Sequence, residues 1–529
     1  MRVSGHTWQQ IPIRKGGRGL LKTPEENNPL NPHLLRGTNL TYGFFGKRGF
    51  QMINIFRRQR TPFFDLFVLA ILSAVVLFLA LGQNRHWSSR EIRHAEIIRE
   101  MAESGDYLVP RLLGKVYYDK PPVMHAPAAL LTRLMGGPSM TIARLPSAVA
   151  GMIGILATYG IGLLFFDRRT ALIGAIALLG TIGYSKMARE ARPDMILCAS
   201  ILLSCLCLGL GMKKQIGFPR VLWLVSAGLF AGLGAITKGP YGVLVPVLFA
   251  VFAPIRRQDF KRPRSDWFWF AFALVAVLAI WAIPAYLRDN GEYLRNVLSQ
   301  PDLNVTKKDS GNPFYYLSHG FLYSLPPLLF LPCAIADLRR RGYSAPLAIA
   351  GALFVIISCI PKKRPHYFLP LEPFIALGIA NALVHYCKSS QLVRRAAWLI
   401  IPLPIIAIPL YFTTIQPLIQ PYKNSEMYLA QEVYKVTGLN AQIYCSSGDA
   451  EVLAWVGQQY KRIHRLNTKD PHLSIRDLCN AEANSYLVIS EDDLKSIYKD
   501  AEPFLKKLIL QRKAHNKKKM LFLIGVKDT

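Results

Sequence analysis

The sequence predicts a mostly α, polytopic helical membrane protein of about eleven spans, with a small α/β domain at its C-terminal end. Three observations carry that expectation. Of the 529 residues 51% are hydrophobic, with a mean hydropathy of +0.22. The apolar residues fall in long blocks that repeatedly approach the roughly 20 residues needed to cross a bilayer. From residue 421 onward those blocks give way to short β-rich runs (AQIYC, SYLVIS, MLFLIGV) alternating with helical patterns.

Residues 1–61 are basic, broken by Pro and Gly, and without apolar periodicity, so they are expected to be a disordered cytoplasmic segment. No signal-peptide pattern is present, and MINIFRRQR from Met52 offers a second start just before the first apolar block. The first span is expected over 63–83, with Arg57, Arg58 and Arg60 holding its beginning in the cytoplasm. The net charge of +31 would suggest nucleic acid in a soluble chain. Here much of it sits in short loops between apolar blocks, where it orients the protein, so membrane lipid is the expected partner and nucleic acid is not.

The polar stretch 85–122 follows the first span and is far richer than a connector needs to be. Within it residues 88–101 have helical periodicity, with Ile92, Ile97, Ile98 and Met101 near one face, and are expected to lie along the membrane interface. Residues 122–137 are short for a span and contain His125 and Arg133, which suggests an interfacial or re-entrant segment. Leaving that segment out makes the charge rule consistent for ten further spans, over 145–166, 171–184, 195–212, 221–236, 241–255, 267–286, 317–336, 345–360, 368–386 and 397–412. Residues 62–420 then form the membrane domain. The α/β domain of 421–529 falls outside the cytoplasm, where Cys445 and Cys479 can pair as a disulfide or remain two thiols. The other cysteines sit in or beside apolar blocks and are most simply packing residues.

On this topology EIRHAE and YYDKPP, then REARPD, TKGP and PKKRPHY gather at one face. Arg192, Lys238, Lys362, Lys363 and Arg364 lie at outer span ends, against the orienting rule. A cation toward the membrane costs about 2.5–3.5 kcal/mol on insertion scales. Several on one face beside carboxylates point to a bound anion, most naturally a lipid phosphate. The bland alternative is that each cation snorkels to headgroups. No His/Cys cluster has metal-ligand spacing, and no nucleotide-type phosphate loop is present.

The run from Glu91 through YYDKPP, followed by ARLPSAVAG, AREARPDM, TKGP and KRPHYFLPLEP, resembles the bacterial aminoarabinose lipid A transferase family over roughly 85–380. It is similar, more distantly, to the protein O-mannosyltransferases. The resemblance implies the C-type membrane glycosyltransferase architecture and a polyprenyl-phosphate sugar as donor. It implies an acceptor on lipid A or another surface glycan, with protein Ser/Thr second, reached at the periplasmic face of the bacterial inner membrane. It places Arg93, Tyr117, Lys120 and Lys238 at the donor phosphate, where cations would stabilise the departing charge. Asp194 matches the family's second functional acid, which would orient the acceptor or hold a divalent cation. His94, Asp119, Arg192, Lys363, Arg364, His366 and Tyr367 are candidates for substrate contact.

One departure stands out. The family pattern Asp-Glu-x-Arg-Tyr reads here as Arg90-Glu91-Ile92-Arg93-His94. Glu91 is the expected general base. Glu96 or Asp194 could take that role, or the transfer activity could be altered. A non-catalytic carrier that flips lipid-linked sugar would instead place charges near the midplane and show related halves; no internal repeat is present.

Overall fold

The computed structural model describes residues 61–83, 88–214, 216–255, 259–261, 266–288, 290–299, 314–360, 363–419, 426–445, 450–466, 484–490, 505–513 and 520–526. The N-terminal segment, Lys362, Cys479 and much of the C-terminal tail therefore lie outside the described residues.

Each apolar block folds as helix, because a buried or lipid-facing backbone can satisfy its own polar groups only that way. Among the described residues six helices are long and apolar enough to span: Met140–Phe165, Asp194–Lys213, Phe218–Lys238, Trp267–Arg288, Pro365–Ser389 and Gln391–Ile419. Two further blocks are bent pairs, Arg168–Leu179 with Ile182–Ala188 at 66° and Tyr315–Tyr323 with Pro327–Arg341 at 113°, which raise the number to eight at most. Pro326 and Pro327 lack the N–H that would carry the second pair through its break. By length and composition the described residues do not confirm the expected count of about eleven. Pro62–Phe78, Tyr241–Phe252 and Ala345–Cys359 are apolar helices but short. The longest of them has 17 residues, a rise of about 25 Å against a hydrocarbon core of about 30 Å.

Two helices form the centre of the bundle. Of the most apolar stretch, 78% is buried in Asp194–Lys213 and 83% in Pro365–Ser389, against 17% in Trp267–Arg288 and 11% in Gln391–Ile419. The outer pair turn Phe268, Phe272, Ile280, Leu399 and Ile406 outward, as lipid-facing helices should. Arginines fasten the first helix: Arg189 donates to the Val76 and Leu79 carbonyls at 2.7 Å each, and Arg144 to Leu81 at 2.8 Å. These bonds satisfy end carbonyls that have no partner inside the helix.

The polar helix expected near residue 88 spans Ser89–Ser104. Ser88 and Glu91 form a reciprocal capping box at its start, and Gly105 closes its end at φ +70°. Its polar face is packed within the protein rather than left open. Ile92, Ile97, Ile98 and Met101 are buried, but so are Glu91, His94, Glu96, Arg99 and Glu100. The helix is covered on one side by His125–Leu134, the short segment expected to be interfacial, and on another by Ala450–Gly457 from the C-terminal part.

The C-terminal part is built on a five-stranded mixed sheet of β3 (Gln442–Cys445), β4 (Ile463–Arg465), β5 (Ser485–Ser490), β6 (Leu505–Lys513) and β7 (Met520–Val526), in the order β4-β3-β5-β7-β6. β3 runs parallel to β4 and β5, while β7 is antiparallel to β5 and β6. The α/β alternation is therefore present, but as part of one compact unit, Thr61–Thr529, rather than a domain set apart. Cys445 is buried with its thiol 3.7 Å from the His464 carbonyl.

A small hairpin, β1 (Arg111–Leu112) and β2 (Lys115–Val116), turns at Leu113 and Gly114, both with positive φ. The Glu100 carboxylate accepts from both turn amides, at 2.5 and 2.9 Å. Burial nonetheless pushes its pKa up to about 7, from an ordinary 4.5. The folded chain thus holds this proton more tightly than the unfolded one. The contribution is favourable at low pH and is lost as pH rises from about 4.5 through 7. Amide exchange at Leu113 and Gly114 is expected to speed up across that window beyond the intrinsic pH effect, and Glu100→Gln to flatten the excess.

Candidate functional site at the span ends

Three turns and one helix meet at the candidate site. The first turn runs from Arg189 to Pro193 and enters the Asp194–Lys213 helix, so Asp194 occupies the first helical turn, where the helix dipole favours an anion. Ser147 fixes this turn, donating to the Arg192 carbonyl at 2.8 Å and accepting from the Arg192 amide at 3.2 Å. The second turn, Lys238–Gly239–Pro240, depends on its glycine, whose φ of +73° an L side chain resists. Close approach does the rest: a Cβ on Gly242 would sit 2.3 Å from the Gly234 carbonyl carbon. The third is the short helical turn Pro365–Leu371.

These turns bring Asp194, Lys238 and His366 together. The Lys238 ammonium is hydrogen-bonded to Asp194 Oδ1, and His366 Nε2 lies 3.9 Å from the same oxygen. Lys238 Nζ also stands 5.0 Å above the Tyr367 ring, a cation–π distance, and the His366 and Tyr367 rings meet edge-on at 5.0 Å. Tyr241 donates to the Tyr367 carbonyl at 3.1 Å, tying the second turn to the third.

The Ser89–Ser104 helix supplies the fourth side. The Arg90 guanidinium is held below its ordinary pKa by partial burial first, then by repulsion from Arg192, Arg364 and Arg93, with Asp194 opposing. Four arginines from three chain segments therefore share one field, against Asp194 and the Glu190 carboxylate that pairs with Arg192 at 2.8 Å. Such a surplus of cation is a site for an anion. Arg93 reaches further: its Nε meets Glu451 at 3.3 Å, and it shares the Tyr117 hydroxyl with Asp119. Burial and the Asp119 charge push that hydroxyl's pKa up, so it stays a protonated donor. Lys120 lies half-buried in the same turn. Beside Arg93, His94 Nδ1 lies 2.9 Å from His125 Nε2.

With this geometry in place the chain was compared with known proteins. Residues 119–283 match the family model described as dolichyl-phosphate-mannose-protein mannosyltransferase. A Proteus mirabilis undecaprenyl phosphate-alpha-4-amino-4-deoxy-L-arabinose arabinosyl transferase is 22% identical over 73% of this chain and 72% of its own length. An Aeromonas salmonicida protein of that name is 28% identical over 61% of this chain and 60% of its own. Among solved structures, ArnT from Cupriavidus metallidurans bound to undecaprenyl phosphate superposes with a TM-score of 0.69 at 18% identity, covering 88% of this chain and 98% of that one. An Archaeoglobus fulgidus oligosaccharyltransferase reaches 0.50 at 12% identity, over 82% and 70%. The chain thus resembles these glycosyltransferases in sequence and shares the fold of the Cupriavidus metallidurans protein.

Against the family pattern, two expected site residues turn out to be occupied elsewhere. Glu91 is buried, and both its oxygens are taken. Oε1 accepts from Arg144 Nε at 3.0 Å and the Ala191 amide at 3.0 Å, while Oε2 faces Arg144 Nη2 at 3.4 Å and the Ser88 amide at 3.5 Å. It fastens the helix to the bundle, and no lone pair is left for a substrate proton. Lys363 donates to the Ser358 and Ile360 carbonyls at 3.0 Å each and so closes the end of Ala345–Cys359. Arg364 instead keeps its guanidinium in the arginine field, its backbone clasped by the Tyr316 hydroxyl at 3.2 Å.

A divalent cation does not fit Asp194. The carboxylate is already neutralised by the Lys238 ammonium, and among the described residues no group of three or more His, Cys, Asp or Glu converges. Four participants went unassigned in the sequence: Arg144, Glu190, His125 and Glu451. Arg144 alone carried a readable signal, as the one charge in the otherwise apolar ARLPSAVAG start of a span.

Proposed function

We propose that the protein transfers a sugar from a polyprenyl-phosphate donor to an acceptor on lipid A or another surface glycan, at the periplasmic face of the bacterial inner membrane. The observation that carries this is the Asp194–Lys238–His366 cluster, set within Arg90, Arg93, Arg192 and Arg364 at one end of the two central helices. Lys238 and these arginines hold the donor phosphate and stabilise the charge it gains as the glycosidic bond breaks. Tyr117 and Lys120 complete the phosphate wall. Asp194, with His366 and Tyr367 beside it, orients the reacting sugar and acceptor, and displacement proceeds with inversion at the anomeric carbon. The names of the relatives, and the undecaprenyl phosphate bound in the Cupriavidus metallidurans structure, support the donor class.

Protein hydroxyl groups are the second acceptor class, supported by the mannosyltransferase family model. A carrier that only flips lipid-linked sugar has less support, because the charges gather at span ends rather than at the midplane. The test uses the purified full chain with radiolabelled undecaprenyl-phosphate sugars. Acceptor-dependent release of undecaprenyl phosphate is expected; movement of the intact donor across proteoliposomes without release would mean a carrier.

A further inference from the structure

We propose that His94, backed by His125, is the base that takes the acceptor's proton, and that the acceptor therefore presents a neutral hydroxyl rather than a phosphate. This rests on the glycosyltransferase reading above. None of the three carboxylates expected in the role is open to it: Glu91 is saturated by Arg144 and two amides, both Glu96 oxygens accept from Arg99, and Asp194 is bonded to Lys238. His94 stands where the family pattern carries Tyr.

The partners assign the tautomers. His125 is fully buried, and its one electrostatic partner besides His94 is the backbone of Pro121. Proline has only a carbonyl to offer, and its influence on His125 favours an N–H on the side of the ring turned away from His94, although Nδ1 makes no hydrogen bond of ordinary geometry. Nε2 is held against His94, so that N–H is on Nδ1 and Nε2 is bare. His94 must then donate from Nδ1, which leaves its own Nε2 as the proton-accepting nitrogen. His94 keeps 8% of its surface open, whereas His125 has none.

The groups facing the pair are Arg93 on the same helix, Arg192 and Asp194 from the first turn, and Tyr117, whose ring lies 6.4 Å from that of His125. Burial first, then His125, Arg192 and Arg93, keep His94 well below its ordinary pKa, so the ring is neutral at pH 7 and carries a nitrogen lone pair that can accept a proton. In the step, the acceptor oxygen bonds to the anomeric carbon as its proton passes to His94 Nε2. The bond from that carbon to the phosphate oxygen breaks, and polyprenyl phosphate leaves with the electron pair. His125 Nε2 accepts a hydrogen bond from the imidazolium, which later loses its proton to water. An acceptor phosphate is already anionic near pH 7 and needs no such base.

The experiment assays the detergent-solubilised full chain with a panel of undecaprenyl-phosphate sugars, with octyl glucoside as hydroxyl acceptor and lipid A as phosphate-bearing acceptor. His94→Gln is expected to lower kcat for hydroxyl transfer about 10²–10⁴-fold while donor KM changes less than threefold. Added imidazole should restore part of the rate in His94→Ala. Retention of the rate in His94→Gln, absence of imidazole rescue, or wild-type transfer only to lipid A phosphate would each overturn the proposal while leaving the glycosyltransferase reading intact. A wild-type chain that releases no undecaprenyl phosphate with any donor overturns both. If His94→Gln does not fold, His94→Tyr, the family residue, takes its place with the same readouts.

Discussion

Glu91→Ala is expected to destabilise the protein by about 3–5 kcal/mol, because it strands a buried guanidinium. Arg144 is 1% exposed and lies inside the Met140–Phe165 helix, so neither water nor a headgroup can replace the lost carboxylate. The change also strips the Ala191 amide of its acceptor and removes half the capping box at Ser88. Thermal unfolding in detergent measures the loss. The double variant Glu91→Leu with Arg144→Met should recover much of it, because removing both charges eliminates the unpaired one. Glu91→Gln separates the roles further. A carboxylate that only anchors should lose stability and turnover together, and stabilising conditions should restore turnover. A Glu91→Gln protein with an unchanged Tm and a turnover lowered a hundredfold or more would return Glu91 to the role of base.

Lys238→Met should have the largest effect on activity, a loss of about 10²–10³-fold in kcat, together with weaker binding of undecaprenyl phosphate. Two effects combine in that variant. The donor loses a cation, and Asp194 is left as a buried charge without its ammonium. Pairing Lys238→Met with Asp194→Asn distinguishes them: the double variant should regain stability without regaining activity. Lys238→Arg should keep the charge and part of the binding, but the longer planar group cannot sit over Tyr367 and on Asp194 in the same way. Titration with undecaprenyl phosphate, followed by protection against thermal unfolding, reads the binding half of the effect.

The helices were legible because lipid imposes long apolar blocks, and Lys238 because a cation at an outer span end defies the orienting rule; Asp194 and His366 came only from the resemblance of REARPD and KRPHY to the family motifs. What escaped was decided by tertiary partners. Glu91 reads as a base until Arg144, 53 residues later, closes on it. Lys363 reads as one more site cation, but the unpaired carbonyls ending Ala345–Cys359 claim it. The polar helix reads as amphipathic and interfacial because its sequence does not reveal that the C-terminal part covers its charged face. The span count is harder to read from either side, because the apolar blocks at 241–255 and 345–360 fold as helices of only 12 and 15 residues.

The Ala450–Gly457 helix lies against the Ser89–Ser104 helix, with Glu451 on Arg93 and the Gln458 carbonyl on Arg99 at 3.3 Å. The C-terminal part is thus packed against the helix that carries Arg90, Arg93 and His94 rather than appended to the bundle. Trimming the chain after its last apolar helix, a natural simplification for handling such a protein, would uncover one side of that helix and free Arg93 from Glu451 and Arg99 from the Gln458 carbonyl, so a shortened protein would not hold these arginines as the intact one does.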